Sequence, residues 1–423
     1  MKRLVREYFI VILMVILLVF SLQFMIWPKE DEFEDQLKDQ RFEGHQAMLV
    51  ASANEAFQIR RDFIEQSKSS ILLSTYRLHD DVYTKYLMDD LYRAAERGVE
   101  VKVLVDYRFG GVKDRGFINH PNIKMYAYNP LKVSNLRGFQ SVHHEKYMVF
   151  DDSYTLLGGR NVGERFFADD GIYDLDVLVK GEAIARKARE HFERHIAFKS
   201  QIKEIVGRGE YKLRDESLHN PKSISFYDDQ MVMVDQVSFL TNDINTKKRK
   251  GYLFSVFKDL ALNSEKKYLV SPYSTKSKYL LELFDEETIL QTNSITSSPN
   301  YPAFSNYYRN RKHYLDTGMD IYEFQDDELS IHTKAYLFDD KLFVGSMNLD
   351  HRSFNINTEA MFLIESKELS DKFKLLVSDY EQASVLYSGD QVEFEERKIQ
   401  PSFIKVVLMR ISSLFSRLLA PFV

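Results

Sequence analysis

Two short stretches of the 423-residue sequence pair a histidine with a lysine at the same spacing. The first runs from His144 through Lys146 to Asp151 and is followed by Gly158-Gly159-Arg160-Asn161. The second runs from His332 through Lys334 to Asp339 and is followed by Gly345-Ser346-Met347-Asn348. Both read H-x-K-x4-D, then a glycine-containing turn and an asparagine. In an extended segment side chains alternate faces, so His144 shares a face with Lys146, and His332 with Lys334. Asp151 and Asp339 have the opposite parity and are expected to point away from their histidines, into a structural ion pair. A lysine beside a histidine suits a phosphate: the ammonium holds a nonbridging oxygen, and Asn161 or Asn348 adds a neutral donor. An unprotonated imidazole attacks phosphorus, and a protonated one releases the leaving oxygen. One histidine cannot do both on opposite sides of the phosphorus, but two copies brought together can. A single H-x-K-x4-D is weak evidence; its repetition, turn and asparagine included, raises it above chance.

Other candidates are weaker. His143 falls outside the motif and reads as structural. His191 and His195 stand four apart on a charged helix, but the order His191-Phe192-Glu193-Arg194-His195 lacks the H-E-x-x-H pattern, so a solvated helix face is expected and no metal site. Gly110-Gly111 is not followed by the lysine of a phosphate-binding loop. The chain has no cysteine, which excludes disulfides, thiolate catalysis and cysteine-ligated zinc. A net charge of -6 argues against a surface devoted to nucleic acid.

These motifs need a scaffold. Ile71–Ser74, Val99–Val105 and Ile123–Tyr128 read as strands, and Val82–Arg97 as a helix closed by Gly98. The spacing of Leu49, Ala53, Ala56, Ile59 and Phe63 predicts a helix over 47–66. The same order returns with strands at Tyr268–Ser271, Thr288–Thr292 and Met319–Phe324 and a helix at Tyr279–Phe284. Alternating strands and helices predict an α/β fold, and the repeated order predicts two similar halves, 44–215 and 216–398. The ends differ. Lys2, Arg3 and Arg6 precede an apolar run from Tyr8 to Trp27, long enough for one bilayer crossing. Residues 1–28 therefore read as an N-terminal transmembrane signal anchor and 29–43 as a linker. The cations place the N-terminus in the cytoplasm and the rest outside the membrane. Residues 399–423 form a basic amphipathic tail, with Ile404, Val407, Leu408, Ile411, Leu414, Phe415, Leu418, Leu419 and Phe422 on one helical face. Such a helix lies on a membrane or docks on the protein's own core. The run Lys247–Lys250 reads as a solvated loop.

The two motifs, with His351-Arg352-Ser353 to Glu359 and the segment 292–307, resemble the phospholipase D superfamily, in its bacterial cardiolipin synthase branch. The resemblance covers about residues 44–390. It implies two α/β/α halves related by a pseudo-twofold and sharing one active site. It implies transfer through a phosphohistidine without metal or cofactor, with His144 as nucleophile and His332 as acid and then base. His144, Lys146, Asp151, His332, Lys334 and Asp339 would form the catalytic set. Ser346 would join Asn161 and Asn348 on the phosphate; Gly159 stands where relatives carry the matching serine. Glu359, and Asp176 as its counterpart, would orient the histidines. The implied function is phosphatidyl transfer from phosphatidylglycerol or a similar phospholipid to a lipid alcohol, at a bacterial inner membrane and without nucleic acid. Hydrolysis, as a phospholipase D or a nucleic-acid phosphodiesterase, would use the same residues. A non-catalytic membrane scaffold is disfavoured by two intact motifs.

Overall fold

The computed structural model describes residues 41–111, 119–130, 141–169, 171–207, 211–214, 218–242, 251–389 and 399–416. The first set of strands is β1 (His45–Val50), β2 (Ser70–Thr75), β3 (Glu100–Asp106), β4 (Ile123–Tyr128), β5 (Tyr147–Phe150), β6 (Tyr154–Gly158), β7 (Asp176–Lys180), β8 (Ile202–Ile205) and β9 (Val232–Val234). They form one sheet in the order β8-β4-β3-β2-β5-β6-β7-β1-β9. The second set is β10 (Gln236–Thr241), β11 (Lys267–Val270), β12 (Thr288–Asn293), β13 (Asp320–Phe324), β14 (Ala335–Phe338), β15 (Lys341–Gly345), β16 (Ala360–Glu365) and β17 (Ser384–Leu386). Its order is β10-β16-β15-β14-β11-β12-β13-β17. Read in reverse, this is the first order without its edge strand β9, with β1 replaced by β10, β7 by β16, β6 by β15, β5 by β14, β2 by β11, β3 by β12, β4 by β13 and β8 by β17. The directions agree as well: β2-β3-β4 and β11-β12-β13 are parallel, and the flanking pairs are antiparallel. The repeat expected from the sequence is thus present as topology.

Local chemistry accounts for the elements. Ile71-Leu72-Leu73 is apolar on both faces and becomes a central strand buried on both sides. The helix Val82–Glu96 starts where the Asp81 carboxylate accepts from the Thr84 amide at 2.9 Å, and Gly98 leaves it at φ +94°. The expected helix over 47–66 is corrected: His45–Val50 is a strand, and the helix is Ala53–Gln66. Ala47, Met48 and Val50 fill a slot between β7 and β9, and Ser52 caps the helix that follows. The boundary at 215–216 also moves. Tyr227 packs in the first half's core and β9 extends the first sheet, so the chain crosses to the second sheet at Asp235.

The molecule is layered. Helices Ala53–Gln66 and Val82–Glu96 cover one face of the first sheet, and Tyr252–Leu262 and Tyr301–Leu315 one face of the second. Helices Glu182–Ala197 and Lys367–Gln382 lie in the core shared by both sheets, where Val149, Val177 and Val179 join Val344, Ala360 and Phe362. This shared core holds the halves in register. The expected membrane anchor over 1–28, nearly all of the linker 29–43 and the basic run Lys247–Lys250 lie outside the described residues. Among the described residues no helix is long and apolar enough to cross a membrane.

Candidate active site

Each motif lies just before its strand, β5 or β14, where it meets the other half. His144 N donates to Thr358 O at 3.1 Å, and Thr358 N returns a bond to Val142 O at 3.1 Å. The reciprocal pair is His332 N to Tyr173 O at 2.7 Å and Tyr173 N to Ser330 O at 3.0 Å. These bridges set two carboxylates against the histidines of the opposite halves. His144 Nδ1 lies 2.9 Å from both oxygens of Glu359. His332 Nδ1 lies 2.7 Å from Asp174 Oδ2. With Nδ1–H donated to a carboxylate, each Nε2 is left as the reactive atom.

Asp176, the expected partner, is not at the site. It accepts from Arg60 Nη2 at 2.9 Å and stands 3.4 Å from Arg160 Nη1, fully buried. The sheet register shows why. Gly158 pairs with Asp176 and Gly345 with Met361, so the counterpart of Glu359 is Asp174, two residues before Asp176. Ser346 is also reassigned. Its hydroxyl donates to Glu359 Oε2 at 2.5 Å and accepts from Ala360 N at 3.0 Å, with no exposure, so it steadies the carboxylate and binds no phosphate. On the other side a Cβ at Gly159 would stand 2.1 Å from Asp174 Oδ1. The longer Glu359 carries a serine beneath it; the shorter Asp174 fills that space itself and requires glycine.

The lysines follow the expected parity. Lys146 Nζ donates to His144 O at 2.5 Å, and Lys334 Nζ reaches His332 O and lies 2.8 Å from His332 Nδ1. Asp151 and Asp339 point away, as their parity requires, but they leave the catalytic set and form no ion pair among the described residues. Asp151 accepts the backbone amides of Lys68, Ser69 and Ser70 at 2.9, 2.8 and 3.0 Å, and Asp339 accepts that of Lys266 at 2.9 Å. Both adopt a left-handed φ, 49° and 53°, at the turn that ends the motif strand. Their role is to fasten that turn to the residues before β2 and β11. Asn161 and Asn348 occupy matching places three residues beyond β6 and β15, and the Oδ1 of each is buried with no partner among the described residues. That oxygen is an acceptor, so an anion would be met by the NH2 side of each amide. Sequence reasoning missed Asp174. It also missed the aromatic walls: Tyr76 stands edge-on to His144 at 5.3 Å and Phe166 to His332 at 5.4 Å.

The electrostatics are unequal on the two sides. Burial, with Lys146 and Lys334 close by, holds His144 well below its ordinary value, so it rests neutral. Burial and Lys334 lower His332 to about 3. Burial lowers Lys146 to about 7 and Lys334 to about 8. Burial pushes Glu359 up to about 8. Asp174 resists the same burial and is held well below the carboxylate range by His332 and Lys334. Two buried lysines thus share one site with the carboxyls of Glu359 and Asp174, a setting in which pKa values are displaced.

The family described as "Cardiolipin synthase, PLD-like domain" matches residues 61–196 and 274–377, more than half of the chain. The chain belongs to this phospholipase D-like family. It is an enzyme of the phospholipase D superfamily. Cardiolipin synthase C of Escherichia coli K12 is 26% identical over 397 residues, covering 78% of this chain and 84% of that one. An uncharacterised protein of Helicobacter pylori 26695 is 27% identical over 402 residues, covering 80% of each. The solved phosphatidylserine synthase of Haemophilus influenzae shares the fold, with a TM-score of 0.68 at 15% identity over 92% of this chain and 98% of that one. The family's two-motif pattern is carried here by His144-Lys146 and His332-Lys334, with the cross-half carboxylates Glu359 and Asp174.

Proposed function

We propose that this enzyme is a phosphatidyl transferase of the cardiolipin synthase type. The phosphatidyl group of phosphatidylglycerol, or a similar phospholipid, passes through His144 to a lipid alcohol. The observation that carries the reading is the unequal pairing of the histidines. His144 is neutral beside a carboxyl pushed upward, which suits a nucleophile. His332 faces a carboxylate held ionised, which suits a group that must carry a proton. A phosphodiester anion between Lys146 and Lys334 cancels their repulsion of a proton, so the imidazolium of His332 forms with the substrate. His144 Nε2 then attacks phosphorus, the P–O bond to the leaving alcohol breaks, and His332 gives that oxygen its proton. In the second step His332 takes the proton of the incoming alcohol, whose oxygen displaces His144 from phosphorus. The lysines hold the nonbridging oxygens throughout, aided by the NH2 donors of Asn161 and Asn348. No step requires a cofactor.

Two features favour a membrane lipid. One is the apolar run Tyr8–Trp27. The other is the helix Phe403–Leu414, the described part of the tail. Its buried Met409 packs in the core beside helix Tyr301–Leu315, Lys405 Nζ donates to Thr296 O at 2.7 Å, and Arg309 Nη1 to Ser413 O at 2.9 Å. Its apolar face turns the other way, with Phe403, Ile404 and Leu414 exposed by 82%, 69% and 73%. The helix is thus docked by a narrow side and presents its apolar face outward, as a membrane-lying helix does.

The test is lipid mass spectrometry of cells that lack their own cardiolipin synthases and express this chain or its His144→Ala variant. Cardiolipin is expected with the first only. Equal lipid profiles for both overturn the reading, and phosphatidic acid as the sole new product assigns water as the acceptor.

A further inference from the structure

Glu145 lies between two site residues in sequence, and strand alternation sends it the opposite way. It meets helix Glu182–Ala197, on which His191 and His195 stand four residues apart and therefore on one face. The expectation of a solvated helix face fails here. Glu145, His191 and His195 are all at most 1% exposed. Glu145 Oε1 is 2.9 Å from His191 Nε2 and 3.0 Å from His195 Nε2, and the two nitrogens are 3.2 Å apart. A tetrahedral ion with bonds of about 2.0–2.1 Å sets its ligand atoms about 3.3–3.4 Å apart, slightly wider than this triangle.

Three more observations favour an ion over hydrogen bonds alone. Without one, both imidazoles address a single oxygen while the second, Glu145 Oε2, is buried and has no hydrogen-bond partner among the described residues. A further imidazole stands close: His143, Glu145 and His195 offer ligand atoms within 4.8 Å of one another, a trio that does not include His191. His143 uses its nitrogens on the hydroxyls of Ser74 and Thr358, at 2.7 and 3.1 Å, and would have to turn its ring to ligate. The support that orients a metal-bound imidazole is also present: Thr241 Oγ1 is 3.3 Å from His191 Nδ1. Arg194, 3.4 Å from the same nitrogen, is exposed and free to swing to solvent. A surface cavity of about 690 Å³ with His191, Glu190, Glu193 and Thr241 in its wall supplies an entry path.

We propose that Glu145, His191 and His195 bind one divalent ion of the zinc type, with water or a turned His143 completing its shell. The ion takes no part in phosphoryl transfer. It ties helix Glu182–Ala197 to the segment that carries His144 and Lys146 and thereby holds the nucleophile in place.

The test uses the full chain without an affinity tag. Metal analysis of the purified protein is expected to find about one zinc-type ion per chain. A chelator should remove it and lower the thermal midpoint, and Zn²⁺ alone should restore both. Thr241→Val is expected to weaken Zn²⁺ by about 10–100-fold, and Glu145→Gln to abolish the response. Wild-type protein that holds no metal and gains no thermal stability from added Zn²⁺ overturns the proposal without recourse to a variant. So does a Glu145→Gln protein that binds Zn²⁺ as wild type does.

Discussion

At the scale of single residues, the site shows how one carboxylate is told from another two positions away. Asp174 and Asp176 lie on the same short stretch, Tyr173-Asp174-Leu175-Asp176, and both are fully buried. One holds His332 and the other holds Arg60, so their substitutions should separate function from stability. Asp174→Asn is expected to lower turnover by roughly 10²–10⁴-fold through the lost proton carrier. Asp176→Asn leaves two buried guanidiniums uncompensated and should cost about 3–5 kcal/mol of stability, while folded molecules stay active. Urea unfolding beside turnover per folded molecule separates the two, and reversed outcomes would return Asp176 to the site. The motif itself was legible letter by letter, and so was Glu359, but the acid that orients His332 was not, because its place is set by the pairing of β6 with β7, which local spacing does not encode. The lysines make a second prediction, in pH. Their hold on phosphate needs the protonated form, and burial lowers Lys146 to about 7 and Lys334 to about 8. Thus kcat/KM should fall as pH rises through 7 to 8, and on the acid side only well below the ordinary imidazole value, where His144 takes its proton. A profile still climbing at about pH 9 would show that neither lysine titrates in the free enzyme.

At the scale of elements, the sequence was most legible where periodicity and caps agreed. The helix Val82–Glu96 with its Asp81 and Gly98 boundaries is one such case. It was least legible at β1, where Ala47, Met48 and Val50 fit a helix as well as a strand and only the slot between β7 and β9 decides. The tail posed a choice between core and membrane; one side of its helix docks on the core through Met409, and the opposite, apolar side is exposed and is the one the proposed membrane would meet. At about 100° per residue, Lys405, Met409, Ser413 and Ser416 share one side, and Phe403, Ile404, Leu408, Ile411 and Leu414 the other. Polar substitution of the outward side should therefore leave the fold intact. The double change Leu408→Asp and Ile411→Asp is expected to lower binding to anionic vesicles at least about tenfold, since each buried apolar side chain is worth about 1.5–3 kcal/mol. Activity on a short-chain, monomeric substrate should be unchanged. Vesicle sedimentation and a soluble-substrate assay read the two separately, and unchanged sedimentation would assign that face to some other partner.

At the scale of the whole molecule, the duplication is functional because each half completes the other. His144 belongs to the first half and its carboxylate Glu359 to the second; His332 belongs to the second and Asp174 to the first. The sequence shows the two copies plainly, but not that the acids cross over, since the crossing depends on the bridges of His143 to Thr358 and Ile331 to Tyr173. The shared apolar core fixes those bridges, so neither histidine is oriented without the opposite half. The coupling can be measured. Removing His144 and removing Glu359 disable the same unit, so the double variant His144→Ala with Glu359→Gln should be scarcely slower than His144→Ala alone. His332→Ala with Asp174→Asn should behave likewise. The pair of the two acids, Glu359→Gln with Asp174→Asn at a retained His144 and His332, touches two units and should lose nearly the product of the single effects. Turnover of the four single variants, these three doubles and His144→Ala with Asp174→Asn decides it. Near-complete additivity between His144 and Glu359, with strong coupling between His144 and Asp174 instead, would mean that each half orients its own histidine and that the crossed geometry does not operate in catalysis.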